Sequence, residues 1–530
     1  MTRFITKYAE RIKGVLSGFD RLVFRGTLRR IAFPEGLGGY LHAEHVLLKE
    51  FGDFAHDASE AVKRASLIEA DVTGAPVDYL PSGQVNKEEI GRRYAAEREV
   101  DTGLVCVLKC VEPCQSFEIY RNAEAHRLEL VGRRRKCLHF YHYWMHPVFG
   151  FMNARIQTWF PFSVQVCLNG REWLAQQMEA AGMRYERADN CFADVEDFTR
   201  AQQLLDEQLK SDWPQLLDEI AHRLNPIHDK LFECYPTQYY WSTHQSEWAT
   251  DVVFNDPEWL ARLYPKLVSH AMGTMDSPDV LRFLGHRIPV TGKIPGSFQG
   301  EVTSDLKRRV EGARVKHTVK GNSIKVYDKL YTAEVAVLRA EATLNNASDF
   351  KVYRPKEGGP DDELDWRELR RGIADLHRRA EVSQRVNERY LDALASVDDS
   401  TTLGELLGRV TEPATWNGKR VRALQPFAAE DLRLCKAVSR GEFAISGIRN
   451  RDLQQLLFDD EPATPAERRR RSAWVGRRIR LLRAHGILQK VNKTHRYQIP
   501  PEGRRVLTAL LTARETPIHS LLPEHLAQAA

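Results

Sequence analysis

The sequence predicts an α+β, multidomain chain in which antiparallel sheets carry flanking helices and a long helix connects them to a separate C-terminal module. Three observations carry that prediction. At 530 residues the chain exceeds one ordinary domain of roughly 100–200 residues. Residues 103–169 and 298–353 read as strands broken by turn residues, whereas 172–225 and 256–285 space their apolar residues as helices do. Charge is also segregated: residues 465–505 hold thirteen Lys or Arg against Glu467 and Glu502, a net +11 in a chain of net charge +5, so the remainder carries −6. A near-neutral or acidic body with one strongly basic segment is the asymmetry expected of a nucleic-acid contact surface.

Composition narrows the classes. With 42% hydrophobic and 28% charged residues the chain buries real cores rather than remaining disordered. It has no run of about 18 apolar residues, so no membrane span is expected. Arg3, Lys7, Glu10, Arg11 and Lys13 interrupt any signal-peptide core, and the expected location is cytoplasmic. Eight cysteines at this density read as reduced thiols rather than a disulfide framework.

Taken in order, Phe4, Ile5, Tyr8, Ile12, Val15 and Leu16 fall at helical spacing and predict a helix stopped by Gly18. A strand over 21–28 and a helix toward Phe51 follow. Residues 104–108, 116–120, 128–131, 138–144 and 162–168 predict strands, with breaks at Glu112-Pro113, Asn122 and Gly132 that suggest antiparallel hairpins. Pro226 and Pro257 bound the helical stretches. Strands at 323–327 and 335–344 precede a linker at 356–363, and a helix is expected from Asp365 to Leu394. No internal sequence repeat is evident. The expected domains are 1–225 (α+β), 226–355 (helical, then β-rich), a connecting helical segment at 365–423, and 424–530.

The last domain has the clearest signal. Helices are expected at 431–438, 450–458 and 466–484, the last stopped by Gly486, followed by a hairpin around Asn492–Thr494 and a helix over 502–514. Helix, helix, basic helix, hairpin, helix is the order of a winged helix. The residues Leu481-Leu-Arg-Ala-His-Gly-Ile-Leu-Gln-Lys-Val, His495-Arg-Tyr-Gln-Ile and Glu502-Gly-Arg-Arg-Val resemble the recognition-helix end, wing and closing helix of winged-helix proteins such as MarR-like regulators. The resemblance implies a helix in the major groove, with Arg469, Arg470, Arg477 and Arg478 on phosphates or base edges and Lys493 and Arg496 of the wing on phosphates. The alternative is a protein–protein module.

The body offers weaker constellations. Cys106, Cys110 and Cys114 on one strand would stand about 13 Å apart per step, too far for tetrahedral zinc. Among Cys137, His139, His142 and His146, the pair His139 and His142 is the metal candidate, although relaxases separate their ligand histidines by one residue rather than two. Residues 322–329 and 338–344, with Tyr327 and Tyr331, are similar to strands of phage gene II/X-type rolling-circle replication proteins. That similarity implies DNA nicking by a tyrosine nucleophile with a divalent metal, Glu341 being a further catalytic candidate; the alternative is a hairpin with packed tyrosines. The aromatics Phe140, Tyr141, Tyr143, Trp144, Phe149, Phe151, Trp159, Phe160 and Phe162, near Arg133–Lys136 and Arg155, suit either stacking on single-stranded nucleic acid or a sheet core. Carboxylates for two-metal chemistry could come from Asp20, Glu112, Asp194, Glu341 or Asp349. Walker A, dinucleotide-binding, nucleophile-elbow and HExxH motifs are missing from the sequence.

The function expected is DNA binding through the C-terminal winged helix, acting in replication initiation or transposition of a mobile element. The alternatives are a ligand-responsive transcriptional regulator and a metal-dependent DNA nuclease. Duplex DNA is the expected partner, with single-stranded nucleic acid and a homodimer as further expectations and no membrane. No cofactor is called for unless the chain is a nuclease, when a divalent metal is. Whether it is an enzyme stays open.

Overall fold

The computed structural model describes residues 2–515 apart from 290, 291, 293, 297, 310, 311, 330–334, 357–362, 399–402, 441, 442, 444–446, 492 and 493. The chain divides into two compact units, Met1–Val397 and Asp398–Ala530. The first is built on β1 (Ile12–Leu28), β2 (Val77–Leu80), β3 (Gly103–Asn122), β4 (Arg127–His146), β5 (Gly150–Gln157), β6 (Val164–Asn169), β7 (Tyr185–Ala188), β8 (Cys191–Val195), β9 (Tyr239–Phe254), β10 (Val302–Arg309), β11 (Gly312–Val319), β12 (Asn322–Asp328) and β13 (Val337–Leu344). Eleven of these form one sheet in the order β10-β11-β12-β13-β9-β1-β6-β5-β4-β3-β2, while β7 and β8 make a separate hairpin. Neighbours in the large sheet run antiparallel except β2 with β3.

Four expectations differ from this architecture. The helix expected over 4–16 is one short helix, Arg3–Lys7, and β1 already starts at Ile12. Gly18 does not stop a helix. A Cβ at Gly14 would stand 2.1 Å from the Phe198 ring and one at Gly18 2.5 Å from Leu205, so these glycines let the helix Phe198–Glu207 lie flat against β1. Pro113 and Gly132 do not break β3 and β4, which pair from Gly103 to Asn122. At Pro113 no strand lies on the other side of β3, because β2 reaches only Cys110, and a proline without N–H is tolerated on such an edge. The boundary expected at residue 225 falls inside the first unit, since β9 pairs with both β1 and β13. The helix expected to connect the domains starts at Leu376, after a strand at Leu364–Glu368, and belongs to the first unit. Its buried Asn387 donates to the carbonyls of Trp248 and Ala340 and to Thr250 Oγ1.

The topology repeats where the sequence does not. A long strand (β1, then β9) is followed by two helices (Pro34–Ala43 and Phe51–Thr73, then Pro257–Gly273 and Ser277–Phe283). A four-stranded meander (β3–β6, then β10–β13) returns its last strand to the first, and a closing helix packs on the sheet (Trp213–Leu224, then Leu376–Leu394). These helices bury one face of the sheet, with Phe24 against Trp213 and Trp248 bonded to Gln384. The opposite face is covered in parts by the helix Lys87–Glu97, by the β7–β8 hairpin and by the helices Gly170–Ala180 and Phe198–Glu207. Between those covers it presents Arg21, Arg25, Arg155, Gln165, Gln245 and Glu247, each at least partly exposed.

The second unit holds helices Leu403–Thr411, Ala429–Val438, Asn450–Leu457, Pro465–Ala484 and Pro501–Glu515, with a small hairpin of Gln489–Lys490 and Tyr497–Gln498. Ile448 bridges to Tyr497, adding a third short backbone pairing to that hairpin. Leu434, Ile448, Leu453, Val475, Leu482, Ile487 and Leu510 are fully buried in its core, each such side chain contributing about 1.5–3 kcal/mol. A Cβ at Gly503 would lie 2.6 Å from the Ile487 carbonyl oxygen, so only glycine lets the last helix come this close to the hairpin strand. Among the described residues no helix is long and apolar enough to cross a membrane.

Candidate nucleic-acid interface and carboxylate cluster

The arginine helix, Pro465–Ala484, begins where the Thr464 side chain accepts from the Glu467 amide at 3.2 Å with Pro465 in the first position. It buries Arg471, Val475, Ile479, Leu481 and Leu482. The residues Ala466, Arg470, Ala473, Arg477 and Arg480 then fall on one exposed stripe, with Arg468 and Arg469 beside it. Small residues alternate with guanidinium groups along this stripe, which permits close approach of a partner. None of Arg468, Arg469, Arg470, Arg477 and Arg480 has a carboxylate or other side-chain partner among the described residues, so their charge faces outward.

Two neighbours behave differently. Arg471 is buried and bonds Asp460 Oδ2 at 2.8 Å and Glu467 Oε1 at 2.5 Å, with its guanidinium over Phe458. Arg478, expected on DNA, is instead paired with Glu430 and lies 4.7 Å from the Trp474 ring centroid. Arg483 is likewise held over Trp416 and Tyr497. On the hairpin Lys490 is exposed, whereas Arg496 is half-buried and lines a cavity with Arg449, Arg451 and Asp452. Lys493 lies outside the described residues, as does Tyr331.

In the first unit the structure joins Tyr327 and Glu341 in a cluster on the partly covered face of the sheet. Tyr327 Oη donates to Glu341 Oε2 at 2.6 Å, and Lys325 donates to Glu341 Oε1. Lys325 Nζ also stands 3.8 Å from Glu247. A register shift between Phe19 and Arg21 marks a bulge in β1, and the bulge aims Asp20 onto this same face. Asp20 Oδ2 accepts from Asn190 Nδ2 at 3.1 Å and lies 3.2 Å from Arg339 Nη1. Arg339 binds Asp251 through two contacts of 2.5 and 2.8 Å, and Arg171 adds a third at 2.8 Å. Oxygens of Asp20, Glu247 and Glu341 all lie within 4.8 Å of one another.

Burial acts on these acids unequally. It pushes Asp20 above the usual carboxylate range, with the Glu341 charge adding to burial and Arg339 only partly opposing it. Burial and the same Glu341 charge also raise Glu247. For Glu341 burial is outweighed by Lys325 and Arg339, which hold it below its ordinary value, and for Asp251 by Arg339 and Arg171. Tyr327 is raised well above its ordinary value by burial and by the Glu341 charge, and its hydroxyl donates to Glu341.

The metal candidates His139 and His142 do not converge. They stand three positions apart on β4 and so point to opposite faces of the sheet, His139 toward the side of Glu112 and Arg155 and His142 into the helix-covered core. His139 is buried with Nδ1 against the Cys137 carbonyl at 3.1 Å, and His142 is stacked 5.5 Å from Trp144. The aromatic run is core as well: Phe140, Tyr141, Tyr143, Trp144, Phe149, Phe151, Phe160 and Phe162 are all buried, leaving Trp159 half-buried. Stacking on single-stranded nucleic acid therefore has no open platform in these side chains. Of the five carboxylates considered from the sequence, Asp20 and Glu341 come together. Glu112 pairs with Lys87 and Arg155, Asp194 with Lys13, and Asp349 with Lys320.

Glu247 and Asp251 escaped the sequence reading because no element was assigned to 226–255. The alternation of Gln245, Glu247 and Asp251 with Trp248, Val252 and Phe254 was the available signal. Comparison of the chain with family models, curated proteins and solved structures gave no match.

Proposed function

We propose that this chain binds duplex DNA through the exposed stripe of the arginine helix, with the adjoining hairpin as a wing, and that it acts in replication initiation or transposition. The observation that carries the reading is the row of guanidinium groups on Arg469, Arg470, Arg477 and Arg480 that no carboxylate among the described residues neutralises. Unpaired cations on a helix face repel one another and cost stability, so a surface that keeps them exposed suits a polyanionic partner. The order of helices, the Ile448–Tyr497 bridge and the short hairpin agree with the winged-helix plan, in which the third helix enters the major groove. Arg478 is withdrawn from that role by Glu430.

The test is a salt titration of duplex binding. Each phosphate contact contributes about −0.9 to the slope of log K against log salt. Changing Arg469, Arg470, Arg477 and Arg480 together to Gln is expected to flatten the slope by about 3–4. A slope equal to that of the unaltered chain would refute the interface.

A further inference from the structure

Beyond DNA binding, we propose that Asp20, Glu247 and Glu341 form a site for one hard divalent cation, magnesium or manganese in class, entered from the side of Glu247. Three strands that are neighbours in the sheet, β1, β9 and β13, each supply one carboxylate. Oxygens within 4.8 Å of one another match the span across an ion whose oxygen ligands stand about 2.0–2.6 Å away. An all-oxygen donor set favours magnesium, manganese or calcium over zinc or copper.

Acids alone would not make this a site, and two further oxygens point the same way. Asp20 is 4% exposed, and its Oδ1 is buried with no hydrogen-bond partner. Thr343 is 5% exposed, and its Oγ1 is equally unpartnered. Thr343 is the direct cross-strand partner of Glu247 and of Ser323 and stands two residues from Glu341, so its side chain shares their face of the sheet. Buried oxygens without a donor are costly, and a cation satisfies several at once. The protein's own cations fill this role only in part. Arg171 and Arg339 hold Asp251, Arg339 reaches only the Oδ2 of Asp20, and Lys325 sits on Glu341 and 3.8 Å from Glu247, so Asp20 Oδ1 and Thr343 Oγ1 still have no partner. Glu247 is only half-buried and faces the exposed Arg21 across β1, which leaves an approach from solvent.

Lys325 makes the inference sharp, because its ammonium competes with any metal for Glu341 and Glu247. The experiment titrates the full chain with manganese chloride alone, without nucleic acid, so its result is independent of the DNA interface. Binding is followed by electron paramagnetic resonance and by thermal melting. One bound manganese per chain is expected, with a raised melting temperature. Glu247→Gln, an isosteric change at a partly exposed position, is expected to weaken binding at least tenfold with an unchanged circular-dichroism spectrum. Lys325→Met is expected to melt lower than the unaltered chain in EDTA, to recover with manganese, and to bind manganese more tightly. Equal binding by the unaltered chain and Glu247→Gln, no stoichiometric binding, or a Lys325→Met chain that manganese fails to rescue would each overturn the proposal.

Discussion

The sheet of the first unit and the arginine helix of the second both concentrate charge, and they treat it in opposite ways. Around Asp251 the guanidinium groups of Arg171 and Arg339 have 0% side-chain exposure and are held by carboxylates at 2.5–2.8 Å. Along the arginine helix the groups of Arg470, Arg477 and Arg480 stand in solvent with no acidic partner among the described residues. A buried charge must be paired, so its pairing reports only that the fold is satisfied. An exposed charge has no such obligation, and neighbouring guanidinium groups without an acidic partner among the described residues are informative for that reason. Beside the carboxylate cluster the informative atoms are instead two oxygens that pairing leaves without a donor, Asp20 Oδ1 and Thr343 Oγ1.

The largest effect that would break this contrast is at Arg339. Replacing it by Met leaves Asp251 with Arg171 alone and strips the cationic neighbour from Asp20. Removing one partner of a buried pair typically costs about 3–5 kcal/mol, so Arg339→Met is expected to lower the urea midpoint of the first unit by that equivalent. A loss under about 1 kcal/mol, the level of a surface pair, would show that the cluster is hydrated and not structural.

Adjacent positions on the arginine helix sharpen the contrast. Arg470→Ala removes a cation with no acidic partner among the described residues and is expected to leave melting equal or slightly raised while weakening duplex binding about tenfold, close to 1.4 kcal/mol. Arg471→Ala removes a guanidinium held by Asp460 and Glu467 under Phe458, and should lower the melting temperature of the second unit with less than a threefold change in binding. If the two substitutions exchanged their effects, the assignment of the exposed stripe as the interface would fail.

The second unit was legible because its elements are local. Thr464-Pro465, Gly486 and the three-four spacing of Val475, Ile479 and Leu482 set the arginine helix within one residue of its start and end. Which arginines are free was missed, although Arg471 stands four residues after Glu467 and four before Val475, on the buried stripe, while Arg470 does not. The first unit was legible in its β-rich stretches 103–169 and 298–353 and in residues 21–28 of β1, but not in the first half of β1 or in β9. Those strands sit at the middle of the sheet with both faces partly covered, so their glycines and polar residues answer to neighbours far away in sequence: Gly14 to Phe198, Asp20 to Asn190, Glu247 to Lys325. The carboxylate cluster inherits that difficulty, because it draws one residue from each of three strands that are distant in sequence.

An effect of pH rather than of a partner concerns His142, the metal candidate that the structure places in the core. It is fully buried, both ring nitrogens lack hydrogen-bond partners, and burial together with the charge of Arg223 depresses its pKa to about 3. The unfolded chain binds a proton at this residue below its ordinary value of about 6.5, whereas the folded chain does so only near 3. Stability from this group is therefore complete above pH 6.5 and is lost as pH falls from 6.5 toward 3, amounting to about 2 kcal/mol between pH 7 and pH 5. His142→Phe keeps an aromatic ring against Trp144 and removes the proton-binding site. The variant should match or exceed the unaltered chain at pH 7 and lose about 2 kcal/mol less on acidification to pH 5, as read from urea midpoints. His139, depressed to about 4, keeps its own share of the acid sensitivity in that variant, so the slope falls without vanishing. An unchanged acid slope would mean that His142 already reaches solvent or a donor, and the core packing of β4 against the helices would need revision.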